Sequence, residues 1–217
     1  MTPSRLEAFS DGVFSIAATL LVLELHVPAP DERGLAVALA RQWPAYAVYA
    51  VSFMTIGIMW VNHHALFALV RRVDRPLLFL NLLLLLAVAV VPFPTAVLGQ
   101  YLGSEADSHV AATVYGLVMV LNALGWGAIW TYVTRDARLL VEHVPVPSAR
   151  ATVPRFVAGL AFYLLGVAAA GVSAQLSLLM YALVAVYYVL PTLPRAGSPA
   201  GGTRRAPVTP PKSDPPD

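Results

Sequence analysis

Six polar or ionisable side chains stand where little else nearby is polar: Ser10 and Asp11 in one apolar stretch, and Trp60, Asn62, His63 and His64 in another. Histidine titrates near neutrality, and a carboxylate inside a membrane is costly enough to signal a function. Asp11, His63 and His64 could therefore act as a proton relay. The same side chains could instead hold helices together, since polar groups bonded across an apolar interface contribute roughly 0.6–2 kcal/mol each. Catalysis has less to build on. One His-His pair falls short of the histidine clusters a membrane di-iron site needs, and no serine, histidine and acid converge. The chain has no cysteine, which removes disulfides, thiolate metal sites and cysteine nucleophiles. The residues point away from an enzyme, a resident metal and a cofactor.

The elements that must position these groups follow from composition. Of 217 residues, 58% are hydrophobic and 12% are charged, against roughly 25% charged in an ordinary soluble domain. A soluble chain of this size could not hide so much apolar surface. The charges cluster between apolar runs long enough to cross a hydrocarbon core of roughly 30 Å. A soluble enzyme, a disordered protein and a nucleic-acid binder are excluded on that ground, despite a pI near 9.0.

The expected class is an all-α integral membrane protein with six transmembrane helices, at about 4–25, 35–70, 77–102, 109–134, 153–172 and 176–193. Ser4 followed by Glu7 has capping-box spacing and marks the first start. Val27-Pro28-Ala29-Pro30 ends that helix, because proline cannot continue the hydrogen-bond ladder. The second run is too long for one perpendicular span, so an interfacial stretch around Arg41 to Pro44 is expected to precede the crossing. Pro92 and Pro94 fall near the far end of the third. Residues 194–217 are rich in Pro, Gly and Ser and read as a disordered cytoplasmic tail. The first helix lacks a clear n-region and cleavage site, so it does not read as a signal peptide.

Charge placement tests this count. With both termini cytoplasmic, the inner side takes Arg5, Arg71, Arg72, Arg75, Arg135, Arg138, Arg150, Arg155, Arg195, Arg204, Arg205 and Lys212, and the outer side only Arg33 and Arg41. That is the bias the positive-inside rule demands. Asp11 then lies about 10 Å along the first helix at 1.5 Å per residue, a little inside the core boundary. Glu24 sits at the opposite boundary, where water can reach it.

At 100° per residue the first helix has two faces. Phe9, Gly12, Leu20 and Leu23 cluster within about 40° of Ile16, with Thr19 about 60° to one side. Ser10 and Asp11 lie about 120–140° away. Periodicity alone makes the aliphatic face an ordinary lipid or packing surface.

The run Arg5-Leu-Glu-Ala-Phe9-Ser10-Asp11-Gly12, continued to Ile16, Thr19, Leu20 and Leu23, resembles the first-helix signature of the transmembrane protein 175 family. Trp60-Val-Asn62-His63-His64 is similar to its second-helix motif, and Asn81 with Pro92-Phe93-Pro94-Thr95 to its third. The match is specific in the first three segments and generic in the last three. The resemblance implies a cation channel, mainly potassium-conducting, in a multi-pass bacterial plasma membrane. Members with one six-helix unit per chain assemble as homotetramers around a pore lined by the first helix. No re-entrant filter loop is expected, and K+ would be bound only in transit. The implied constriction is Ile16, continued by Leu20 and Leu23, with Thr19 linked to selectivity. Arg5, Phe9, Ser10, Asp11, Trp60, Asn62 and His63 would form a structural polar network. The rival reading is a proton-coupled transporter or proton pathway through Asp11 and His63.

Overall fold

The computed structural model describes residues 3–29, 34–136, 138–142 and 144–189. Within them nine α-helices follow one another: α1 (Pro3–Leu20), α2 (Leu35–Arg41), α3 (Trp43–Phe67), α4 (Arg75–Val90), α5 (Pro92–Tyr101), α6 (Ser108–Arg135), α7 (Val146–Arg150), α8 (Val153–Ala170) and α9 (Ala174–Val189). A 3-10 turn, Leu21–Glu24, ends α1. The expected regular helix to Leu25 thus tightens in its last turn, ahead of the prolines that follow.

Prolines divide the two longest runs. The stretch read as 35–70 breaks at Gln42, which leaves α2 as a separate short helix before the crossing helix α3. Pro44 has no N–H to offer the carbonyl four residues back, so the ladder cannot pass through it. The stretch read as 77–102 bends at Val91, between α4 and α5. Here Val91 N bonds Val88 O at 3.0 Å, a three-residue step, because Pro92 and Pro94 cannot donate to the carbonyls of Val88 and Val90.

Among the described residues five helical segments are long and apolar enough to cross a membrane: Pro3–Glu24, Trp43–Phe67, Arg75–Tyr101, Ser108–Arg135 and Val146–Ala170. Ala174–Val189 is a shorter apolar helix of 16 residues. Residues 190–193, assigned to it from sequence, and the 194–217 tail lie outside the described residues.

Helix α6 is the hub, packed on α4, α5, α8 and α9. Helix α1 stands at one edge, against α3 and α4. The core is aromatic where α6, α8 and α9 meet. Tyr115 stacks on Tyr181 with centroids 5.3 Å apart, and the Tyr181 hydroxyl donates to Ala112 O at 3.1 Å. Glycine makes this possible, since a β-carbon at Gly116 or Gly166 would overlap Tyr181 and one at Gly159 would overlap Tyr188.

The arginine-rich ends of the helices are tied together. Arg71 N bonds Leu139 O at 2.7 Å and Val141 N bonds Leu69 O at 3.1 Å, with an Arg71–Glu142 ion pair at 2.5 Å alongside. Asp74 caps α4 by accepting from Leu77 N at 3.0 Å, and its other oxygen accepts from the Tyr132 hydroxyl at 2.6 Å. Arg150 donates to the last carbonyls of α6, Thr134 O at 3.0 Å and Arg135 O at 3.4 Å. Unpaired C-terminal carbonyls are in this way satisfied by a cation.

Candidate functional site

Helix α1 has a buried face of Leu6, Ser10, Phe14, Ala17 and, in its 3-10 turn, Leu21. The spacing of three or four residues is that of one helical stripe. On the opposite side the exposures are 54% at Phe9, 61% at Ile16, 42% at Leu20 and 68% at Leu23. Gly12 and Thr19 are also exposed. The two faces read from periodicity are therefore the two faces of the folded helix.

Behind the buried face runs a hydrogen-bonded track. Ser10 Oγ donates to Leu6 O at 2.9 Å, and Asn81 Nδ2 donates to Ser10 Oγ at 3.0 Å. Asn81 Oδ1 lies 2.9 Å from His63 Nε2. An amide oxygen only accepts, so His63 carries its proton on Nε2. Its ring sits among aromatics: Phe67 at 4.5 Å, Phe14 at 5.3 Å and Trp126 at 6.1 Å between centroids. His63 Nδ1 is buried without a partner. Ser10, His63 and Asn81 are at most 1% exposed, so the track joins α1, α3 and α4 in the buried interior.

Asp11 is half-buried at the side of this track, and Trp60 Nε1 donates to its Oδ1 at 2.9 Å. That contact lies at the protein surface, with Trp60 47% exposed. Asp11 and His63 belong to separate hydrogen-bonded sets. His64 is exposed, with its Nδ1 3.9 Å from Glu7 Oε1.

The structure regroups some residues that the sequence reading placed together. Asn62 does not meet Ser10 or Asp11; its Nδ2 donates to Tyr188 O at 3.1 Å and ties α3 to α9. The reason is angular: on one helix Asn62 and His63 project 100° apart. Phe9 lies on the exposed face, and Arg5 is exposed at the first turn of α1, so neither joins the track.

A second polar layer, missing from the sequence reading, crosses α3, α5 and α6. Thr95 Oγ1 lies 2.8 Å from Ser52 Oγ, which lies 3.0 Å from the Tyr115 hydroxyl. Isolated hydroxyls at Ser52, Thr95 and Tyr115 within apolar runs were the available signal. Among the described residues no group of acids, histidines and cysteines could hold a metal ion.

What sets the exposed face of α1 apart is its chemistry. The outward face of α4, by contrast, is aliphatic and aromatic, with Phe79, Leu82, Leu83 and Leu86. The α1 face interleaves apolar side chains with Gly12, Ser15 and Thr19. Thr19 Oγ1 lies 3.0 Å from both Ser15 O and Ile16 O. Its single proton is thus spent on the backbone, which leaves the hydroxyl oxygen free to accept. Ile16 and Leu20 are about 6 Å apart along the axis, as are Leu20 and Leu23 across the 3-10 turn.

Comparison with known proteins identifies the family. The sequence profile of the family described as "Endosomal/lysosomal potassium channel TMEM175" matches residues 5–92, the stretch holding α1, the histidine track and the bend of the third span. A protein named as a potassium channel in Streptomyces collinus is 56% identical over 85% of this chain and 90% of its own. The crystal structure of a lysosomal potassium-selective channel TMEM175 homolog from Chamaesiphon minutus superposes with a TM-score of 0.79 at 37% identity. It covers 88% of this chain and 97% of that one. The human endosomal/lysosomal proton channel TMEM175 is 33% identical over 60% of this chain, which spans 28% of its length. With identity and fold shared over most of its length, the chain belongs to the TMEM175 family.

Proposed function

We propose that the protein is a potassium-conducting cation channel in which four copies present α1 to a common axis. The observation that carries this reading is the exposed α1 face, which mixes an aliphatic stripe with hydroxyls and glycine. The names of the bacterial relatives support potassium as the ion. Four Ile16 side chains form the constriction, with Leu20 and Leu23 in successive tiers. A ring of this kind excludes water when tight and conducts when α1 tilts or rotates slightly. Four Thr19 oxygens above Ile16 replace part of the ion's water. With no cage of carbonyls in this arrangement, preference for K+ over Na+ is modest.

In this reading the buried track of Ser10, Asn81 and His63 anchors α1 to α3 and α4, while Asp11 and Trp60 anchor its flank. A stiff helix standing at the edge of its own protomer can then line a pathway without being absorbed into the core. The chain makes six crossings with both termini cytoplasmic, in the plasma membrane of a bacterium. A proton pathway through Asp11 and His63 is the second reading, favoured by the proton-channel names of the vertebrate relatives. The separation of these two residues into different hydrogen-bonded sets tells against a direct relay between them.

The test is flux from liposomes holding a potassium gradient, with and without a protonophore. A channel gives an electrogenic potassium leak that accelerates when the protonophore supplies counter-charge. Saturable flux strictly coupled to protons, with no independent potassium current, would replace this reading with transport.

A further inference from the structure

Away from α1, the bundle holds a pocket of about 540 Å³, counted out to its open mouth, between α3, α6, α8 and α9. Four aromatic side chains, Trp126, Phe156, Tyr163 and Tyr188, share its walls with apolar residues such as Met59 and Ala185. From Phe156 to Tyr163 it runs seven residues along α8, or about 10 Å, starting near the arginine-rich end of the helix. The pocket is thus set at membrane depth.

One group in it is unaccounted for. Tyr163 is 4% exposed as a whole residue; its hydroxyl has no hydrogen-bond partner among the described residues and is open to the pocket rather than sealed in the core. Asn62, at the pocket wall, already spends its Nδ2 on Tyr188 O. A pocket part-lined by aromatic rings, with one unused donor at its wall, has the form of a small-molecule site.

We propose that this pocket is a site for a bilayer-soluble aromatic molecule carrying one carbonyl-type acceptor, which Tyr163 would engage while the rings lie among Trp126, Phe156 and Tyr188. Occupancy is felt at α1. Trp126 forms one wall and packs edge-on against His63, which is bonded through Asn81 to Ser10. The ligand therefore changes conduction, and this second half rests on the channel reading above.

Benzophenone, an aromatic ketone that photolabels the C–H bonds it lies against, tests both halves. The full chain is reconstituted in liposomes, irradiated with the probe, digested and mapped by mass spectrometry. Adducts are expected on pocket residues, Met59 among them. Labelling should weaken roughly two- to ten-fold in Tyr163→Phe, the loss of one hydrogen bond, and vanish in Ala185→Trp, which fills the space. Tyr163→Phe removes a single oxygen and keeps the fold if Ala185→Trp does not. Adducts spread evenly over outward residues such as Leu83 and Leu121 would overturn the site. Labelling indifferent to Tyr163→Phe would mean a groove for any hydrocarbon, lipid tails included, and would overturn the ligand class. Labelling at the pocket with unchanged potassium flux would overturn the regulatory half. Absence of flux before the probe is added would instead count against the channel reading, because labelling is read separately.

Discussion

Replacing Asn81 with leucine separates anchoring by hydrogen bonds from anchoring by packing. Asn81 is fully buried and holds two partners, His63 Nε2 at 2.9 Å and Ser10 Oγ at 3.0 Å. Leucine keeps the same four side-chain heavy atoms and branching, so no cavity opens, and its bulkier methyls add at most some overpacking. Ser10 keeps a partner for its proton, Leu6 O at 2.9 Å. His63 does not, for its Nε2–H would face leucine while Nδ1 is already orphaned. An unsatisfied buried donor costs about 1–3 kcal/mol, and each lost bond inside a membrane protein about 0.6 kcal/mol. The expected loss is then about 2–4 kcal/mol. His63→Phe alone strands the Asn81 carbonyl and should cost a similar amount. The double variant His63→Phe/Asn81→Leu removes both partners and leaves an apolar contact among Phe14, Phe67 and Trp126, so most of the loss should return. Equilibrium unfolding by SDS in mixed micelles, followed by tryptophan fluorescence at fixed protein concentration, measures all three. A coupling of at least about 1.5 kcal/mol is expected. Additive losses would refute the argument, because they would mean that His63 and Asn81 act independently and the track is not a unit.

Ile16→Asn puts a polar amide at the proposed constriction and should raise basal potassium flux several-fold in liposomes; unchanged flux would remove Ile16 from the narrowest point. Asp74→Ala deletes the α4 cap and the acceptor of Tyr132, and should cost about 1–3 kcal/mol in the same unfolding assay, whereas Tyr132→Phe should cost about 1 kcal/mol or less. Gly166→Ala drives a β-carbon into Tyr181 and should destabilise by about 1–3 kcal/mol through overpacking. Gly127→Ala, where nothing lies within 4 Å, should be neutral or stabilising by up to about 1 kcal/mol. Equal effects at the two glycines would contradict the packing described for α6, α8 and α9.

Several features were legible before any fold was known. The apolar runs and proline positions located the helices, because hydrocarbon tolerates only segments whose backbone bonds are satisfied internally. The two faces of α1 followed from an angular period set by backbone geometry alone, so Ile16 and Ser10 were separated correctly without a partner in view. The break at Gln42 and the bend at Val91 differ from continuous spans only where a proline withholds a donor, and those prolines were visible too.

Tertiary structure decided which buried polar group meets which. Ser10, Asn81 and His63 lie on three helices, with 71 residues between Ser10 and Asn81, and no local period relates them. Asn62 and His63 are neighbours in sequence yet bond to Tyr188 and Asn81 respectively, because a helix sends adjacent side chains to different partners. The pocket before Tyr163 is likewise a property of four helices together. Periodicity belongs to one helix and is written in its residues; partnership depends on how separate helices are rotated against each other, and that is settled only when their side chains pack.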